Sequence, residues 1–304
     1  MREIKSLTSL RGIFAMWVMF YHSCRWIPEI GIQRFPFIEH GYLAVDFFFM
    51  LSGYILTLTH ADDFRSGSIF PYLIFLRKRF FRLFPLHWAI LIVILLSLPV
   101  MGIAVPWWQY VVGEFLLIHR WEIWPASGTP LNIPDWSIST EWAVNLLFPL
   151  FMIVYRAPRA TACILAIFFG ALEVLVFWRN GGNMNASQAN SLLPLLRCIG
   201  EFGLGVLLAR FPVPSLLRTG SAAQLLSVRP LHWLGEISYS IYLVQIPIIL
   251  GVRQLARFTG TVRSPIWVVV LATSVIAVSW ATYRLIEKPG RSLGRFYSNR
   301  PATT

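Results

Sequence analysis

The chain has 304 residues, 56% of them hydrophobic and 13% charged, with a formal net charge of +12 and a mean hydropathy of +0.62. That composition excludes a water-soluble globule and indicates an all-α polytopic membrane protein. A basic excess usually suggests nucleic acid, but here the Lys and Arg fall mostly in loops between apolar runs, where they set topology and meet anionic membrane lipids, so no nucleic-acid partner is expected.

Apolar runs of near-spanning length predict helices at 7–26, 40–60, 83–104, 141–155, 160–178, 192–210, 231–250 and 265–284, about eight crossings. They form a single membrane domain over 1–288, followed by a basic tail over 289–304. Residues 107–119, WWQYVVGEFLLIH, make a further piece that is short for a span and contains Glu114. It reads as an interfacial or re-entrant helix with its Trp pair at headgroup level. The flanks 1–6, 61–82, 156–159, 210–230 and 284–304 carry more than twice as many Lys and Arg as those facing the other side. Both termini are therefore expected to be cytoplasmic. The three cysteines have no CxxC or Cys/His spacing, so neither a disulfide framework nor a metal site is read from them.

The first span, LTSLRGIFAMWVMFYHSCRW, carries Arg11 and His22. An ionisable group in hydrocarbon costs at least a few kcal/mol and usually faces a partner or a cavity. Eleven residues bring a helix back to within about 20° of the same face, about 16 Å further along. One stripe thus holds a fixed cation and a titratable imidazole. The bland alternatives are an arginine that snorkels to the headgroups and a histidine held in packing. The second span places Asp46 about two turns from its outer end, followed by Ser52. His22 at similar depth would be its partner, unless Asp46 bonds only neighbouring hydroxyls or backbone.

The third span is entered through FLRKRFFRLFPLHW, with Arg77, Lys78, Arg79 and Arg82. Guanidinium forks match phosphate oxygens, so the cluster suits a polyphosphate donor such as coenzyme A; lipid anchoring is the alternative. IPDWSISTEW then sets Asp135, Trp136, Ser137, Ser139 and Glu141 at the mouth of the fourth span, where Glu141 could instead close a capping box with Ser139 or Ile138. Arg197 and Glu201, four apart, read as a pair holding each other within the sixth span.

Taken in order, LTSLRGIFAMWVMFYHS, GYLAVDFFFMLSGYILT, RKRFFRLFPLHW, PDWSISTEW, LGEISYSIYLVQIP and YRLIEKPGR resemble the integral-membrane acyltransferase family 3. That resemblance covers nearly the whole chain. It implies transfer of an acyl group, usually acetyl, from acyl-CoA to a hydroxyl of a carbohydrate acceptor, a cell-envelope polysaccharide or lipopolysaccharide, in the bacterial inner membrane. The family's signature of an arginine followed after ten residues by a histidine matches Arg11 and His22; its arginine cluster matches Arg79 and Arg82; its Trp, Ser and acidic positions match Trp136, Ser137 and Glu141. One departure stands out: the family norm is about ten spans, and the connection near 211–230 is too short for the extra pair.

The resulting expectation is His22 as general base, with Asp46 and Glu141 orienting it or stabilising its charged form. Arg11, Arg77, Arg79 and Arg82 would bind the acyl-CoA donor, and Trp136, Ser137 and Ser139 the acceptor, with no metal. No G-x-S-x-G elbow is present, so direct transfer is the simpler expectation, with a covalent acyl-enzyme on Ser52, Ser137 or Ser139 as the alternative. The rival readings are a proton-coupled transporter or non-catalytic membrane scaffold built on Arg11, His22 and Asp46, and O-acylation of a small exported metabolite.

Overall fold

A computed structural model describes residues 4–31, 35–66, 68–104, 106–123, 130–185, 191–212, 217 and 220–296. Among these the chain is helical and contains no strand, as the composition requires. The principal helices are α1 (Lys5–Trp26), α2 (Ala44–His60), α3 (Ile69–Val100), α4 (Trp108–Phe115), α5 (Asp135–Leu146), α6 (Phe148–Arg156), α7 (Arg159–Arg179), α8 (Leu193–Leu208), α9 (Ser221–Leu226), α10 (Arg229–Glu236), α11 (Ser238–Phe258), α12 (Ile266–Thr282) and α13 (Lys288–Phe296).

Among the described residues five helices are long and apolar enough to cross a membrane: Gly41–His60, Ile69–Val100, Arg159–Arg179, Ser238–Phe258 and Ile266–Arg295. The pair α5 and α6, bent by 63°, raises the number to six if it is one span. The sequence suggested about eight. The shortfall lies at α1, which has the length but carries Ser6, Thr8, Ser9, Arg11, His22 and Ser23, and at α8, which has 16 residues. The bend follows from Pro149 at the start of α6, because a prolyl ring lacks the N–H and clashes with the carbonyl one turn back. The piece at 107–119 contains the eight-residue α4, with Trp107 and Trp108 both exposed beside it. Among the described residues between α8 and α11 only the short α9 and α10 are found. Pro289 lies inside α13, so the chain stays helical to Phe296; the rest of the expected tail, 297–304, lies outside the described residues.

The chain divides into two compact units, one of 49–212 with 284–304 and the other of 2–48 with 213–283. In the first, helix seams rest on missing side chains. A Cβ on Gly53 would stand 2.2 Å from the Phe202 carbonyl oxygen, and one on Gly205 would stand 2.0 Å from that of Met50. These two contacts lock the 49–60 part of α2 against α8 in a single register. By contrast α7 is only 11% buried over its apolar window, and Ile164, Ile167, Phe168 and Val174 face outward, as a lipid-facing helix requires.

In the second unit the same device joins α1 to α10. A Cβ on Gly12 would meet the Gly235 amide nitrogen at 2.6 Å, and one on Gly235 would meet the Thr8 carbonyl oxygen at 2.0 Å. Backbone contact of this kind is what holds helices together where lipid and side chains are equally apolar.

Gly53→Ala is expected to destabilise the detergent-solubilised protein by about 1–3 kcal/mol, the usual cost of overpacking. Gly170→Ala, whose Cβ would meet nothing within 4 Å, is expected to leave stability unchanged or slightly raised. Thermal melts of the two variants beside the parent protein check both.

Candidate active site

In the first unit the charged residues of α3 and α5 face each other. Arg79 Nη2 donates to Glu141 Oε1, and Ser52 Oγ on α2 donates to the same oxygen at 3.1 Å. Eight residues further along α3, His87 Nδ1 lies 3.1 Å from Asp135 Oδ2. The pairing order is inverted, 79 with 141 and 87 with 135, so the two helices run antiparallel with two charged rungs between them. The rungs are about 12 Å apart along α3 and about 9 Å apart along α5.

The inner rung is dry, with His87 and Asp135 both at 0% exposure. His87 Nε2 faces the Glu114 carbonyl oxygen at 2.9 Å. A carbonyl only accepts, so Nε2 carries a proton. On its other side Nδ1 lies within ion-pair range of Asp135, so both ring nitrogens face a partner. Asn132 Nδ2 donates to the other Asp135 oxygen at 3.0 Å.

Beside this pair, Glu114 Oε1 accepts from the Leu131 amide at 3.3 Å, and His119 Nδ1 lies 3.8 Å from Glu114 Oε2. Burial, then the Asp135 carboxylate, pushes Glu114 well above the ordinary carboxylate range. Burial, with His87 and Arg120 nearby, holds His119 well below the ordinary imidazole value and hence neutral. Sequence reading noted Asp135 and Glu114 separately but did not group them with His87 or His119.

The helix carrying Trp136, Ser137, Ser139 and Glu141 begins earlier than expected. It starts at Asp135, with Pro134 as its N-cap and no side-chain cap bond. Glu141 therefore lies mid-helix, which rules out the capping-box alternative. Trp136 is 4% exposed, edge-on to Phe49 at 5.9 Å and under the Arg197 guanidinium at 5.5 Å. Arg197 Nε also donates to Glu201 Oε1 at 3.3 Å, the i, i+4 pair anticipated from spacing. Ser137 Oγ donates to the Pro134 carbonyl at 3.0 Å and Ser139 Oγ to that of Leu117 at 2.8 Å. Arg79 is buried, whereas Arg77 and Arg82 are half-buried on the same helix.

The second unit holds Arg11, His22 and Asp46, all half-buried. The ring of His22 meets Gln245 on α11, Nδ1 to Oε1, at 3.2 Å. Gln245 Nε2 donates to the Tyr242 carbonyl at 2.8 Å, which fixes which way the amide points. Its oxygen therefore faces His22 and accepts from Nδ1–H, leaving the Nε2 lone pair of the neutral ring for an incoming proton. Sequence reading gave this orienting role to Asp46 or Glu141 and passed over Gln245, since an amide in an apolar run offers no charge signal. Among the described residues no group of three His, Cys, Asp or Glu could hold a metal ion.

The arrangement resembles known proteins in one direction. A family model, the acyltransferase domain of acyltransferase family 3, matches residues 4–218. YrhL of Bacillus subtilis is 25% identical over 98% of this chain and 57% of its own length. The acyltransferase MdmB of Streptomyces mycarofaciens is 29% identical over 52% and 40%. The peptidoglycan O-acetyltransferase OatA of Listeria monocytogenes is 22% identical over 96% and 56%. The chain thus spans about half the length of the curated relatives it matches. The alignment with YrhL runs over 371 positions, more than the chain's 304 residues, so YrhL holds residues within the matched stretch that are missing here. No solved structure matches.

The raised Glu114 pKa gives a signed pH dependence. A carboxyl whose folded pKa lies above its unfolded value stabilises fully below the ordinary carboxylate range, and that contribution is lost as pH rises through the folded value. Melts from about pH 5 to about pH 9 are expected to show the parent losing stability toward the alkaline end. Glu114→Gln, a neutral isostere, is expected to flatten that loss.

Proposed function

Because this chain belongs to the integral-membrane acyltransferase family 3, we propose that it moves an acyl group, acetyl in the simplest case, from acyl-CoA to a hydroxyl of a cell-envelope carbohydrate. Peptidoglycan is the acceptor to which the printed name of the Listeria relative points. The protein works in the bacterial inner membrane with both termini cytoplasmic, a reading supported by the distribution of Lys and Arg.

The observation that carries the reading is the tautomer of His22. Gln245, itself oriented by the Tyr242 carbonyl, holds the proton on Nδ1 and frees Nε2. His22 takes the proton of the acceptor hydroxyl as its oxygen attacks the acyl carbonyl, and gives it up to the leaving group. Gln245 is a positioning residue. Asp46, half-buried in the same unit, supplies negative charge for the imidazolium form.

The phosphates of the donor are bound by Arg77 and Arg82. Arg79 has a different task, since its guanidinium is engaged by Glu141. Trp136 shapes the acceptor site as a face packed between Phe49 and Arg197, whereas Ser137 and Ser139 hold the helix in place through backbone carbonyls.

General-base help is typically worth ~10²–10⁴ in rate. His22→Ala is expected to lower turnover of acetyl-CoA with an envelope glycan extract by that factor while membrane insertion is retained. Gln245→Leu is expected to lower kcat with little change in the donor KM, since it frees the ring without touching the donor. Wild-type rates in His22→Ala would remove the histidine from the mechanism. Comparing envelope glycans from cells with and without the gene by mass spectrometry tests the acceptor, and an unchanged acyl content would sink the envelope reading.

A further inference from the structure

Three serines were open as nucleophiles, and their geometry separates them. Ser137 and Ser139 each donate their hydroxyl proton to a backbone carbonyl, an acceptor that cannot carry a proton away. Ser52 donates to a carboxylate oxygen, Glu141 Oε1, at 3.1 Å. Hydroxyls inside helices normally turn back to the carbonyl three or four residues earlier. Ser23, Thr59, Thr273 and Thr282 all do so in this chain. Ser52 instead points off its own helix, toward α5.

Two further features favour a reacting group over a packing contact. The Glu141 side chain is 22% exposed and Ser52 is half-buried, so a substrate can reach both. Next to Ser52, Gly53 locks α2 against α8 at the Phe202 carbonyl, so the hydroxyl sits on backbone with one register. Arg79, bonded to the same Glu141 oxygen as Ser52, holds the carboxylate in place.

From this geometry we propose that Ser52 is an acyl-accepting nucleophile, with Glu141 as its proton acceptor and Arg79 as the positioning residue for Glu141, so that transfer passes through a covalent acyl-serine. The inference rests on the acyltransferase reading given above. In the first half-reaction the Ser52 oxygen bonds to the carbonyl carbon of the acyl thioester. Its proton goes to Glu141, the carbon–sulfur bond breaks, and the departing thiolate takes the proton from Glu141. In the second, the acceptor hydroxyl oxygen bonds to the same carbonyl carbon and the bond to the Ser52 oxygen breaks. The acceptor's proton ends on the serine oxygen, which restores the resting enzyme. No oxidant or reductant is needed.

The test uses the full chain in detergent with acetyl-CoA, labelled free coenzyme A and no acceptor. A covalent intermediate returns its acetyl group to the labelled coenzyme, so label is expected to appear in acetyl-CoA, and peptide mass spectrometry of the quenched protein is expected to find an acetyl increment on Ser52. Ser52→Ala is expected to lower exchange at least about a hundredfold. Ser52→Cys is expected to hold the acyl group as a thioester, which neutral hydroxylamine releases far faster than an oxygen ester. Because exchange and adduct are read on the unaltered protein, a variant that fails to fold does not blunt the test. A protein that acylates envelope glycan yet shows neither exchange nor adduct, or carries the adduct on another residue, overturns the assignment. A protein that consumes no acetyl-CoA even with glycan present removes the acyltransferase reading itself.

Discussion

An ionised side chain within hydrocarbon costs several kcal/mol unless an opposite charge or a set of hydrogen bonds accompanies it. Residues 49–212 answer that constraint with three pairs: Arg79 with Glu141, His87 with Asp135, and Arg197 with Glu201. Everything that gives this unit its chemistry is arranged around them. The first two link α3 to α5 and the third is internal to α8, where its guanidinium also covers Trp136. Removing one partner would leave the other charge stranded, a loss of about 3–5 kcal/mol where such pairs are buried. The first two pairs therefore specify one register between α3 and α5 that lipid alone would not hold in place.

The antiparallel ladder also constrains how roles can be shared. A guanidinium bonded to a carboxylate has donors left over but not its full charge, so the part of Arg79 is set first by Glu141. A lysine at position 79 would offer a point charge in place of the fork that fixes Glu141 in orientation as well as in charge. The second rung limits α5 from its other end. The Asp135 oxygens are engaged by His87 and Asn132, so the helix carrying Trp136 and Glu141 is pinned at its first residue.

How much of this was legible in the sequence depended on how far apart the partners lie along the chain. The Arg197–Glu201 pair was readable because an interval of four residues is itself the geometry. His87 and Asp135 are separated by α4 and the following loop, and nothing local in either stretch announces the other. The all-α membrane class followed from composition, but the number of spans did not. A helix such as α1 meets the length rule while its polar residues defeat the hydropathy rule, and α8 does the reverse. The position of Glu141 was misjudged because SISTEW contains every residue a cap would need, whereas Pro134 had already started the helix. The missing Cβ atoms at Gly12, Gly53, Gly205 and Gly235 carry no periodic signal, although they decide which helices touch.

The two histidines His87 and His22, both lying in apolar helices, illustrate how a partner decides a role. His87 has both nitrogens engaged, one by a backbone carbonyl and one by a carboxylate. It can neither accept a new proton nor release one without breaking the rung it forms, which suits a clamp. His22 has one nitrogen held by a neutral amide. A neutral partner fixes the tautomer without adding a charge that must be balanced. In a chain whose ionised groups must otherwise be paired, the proposed base is therefore the histidine set against an amide, not the one committed to a carboxylate.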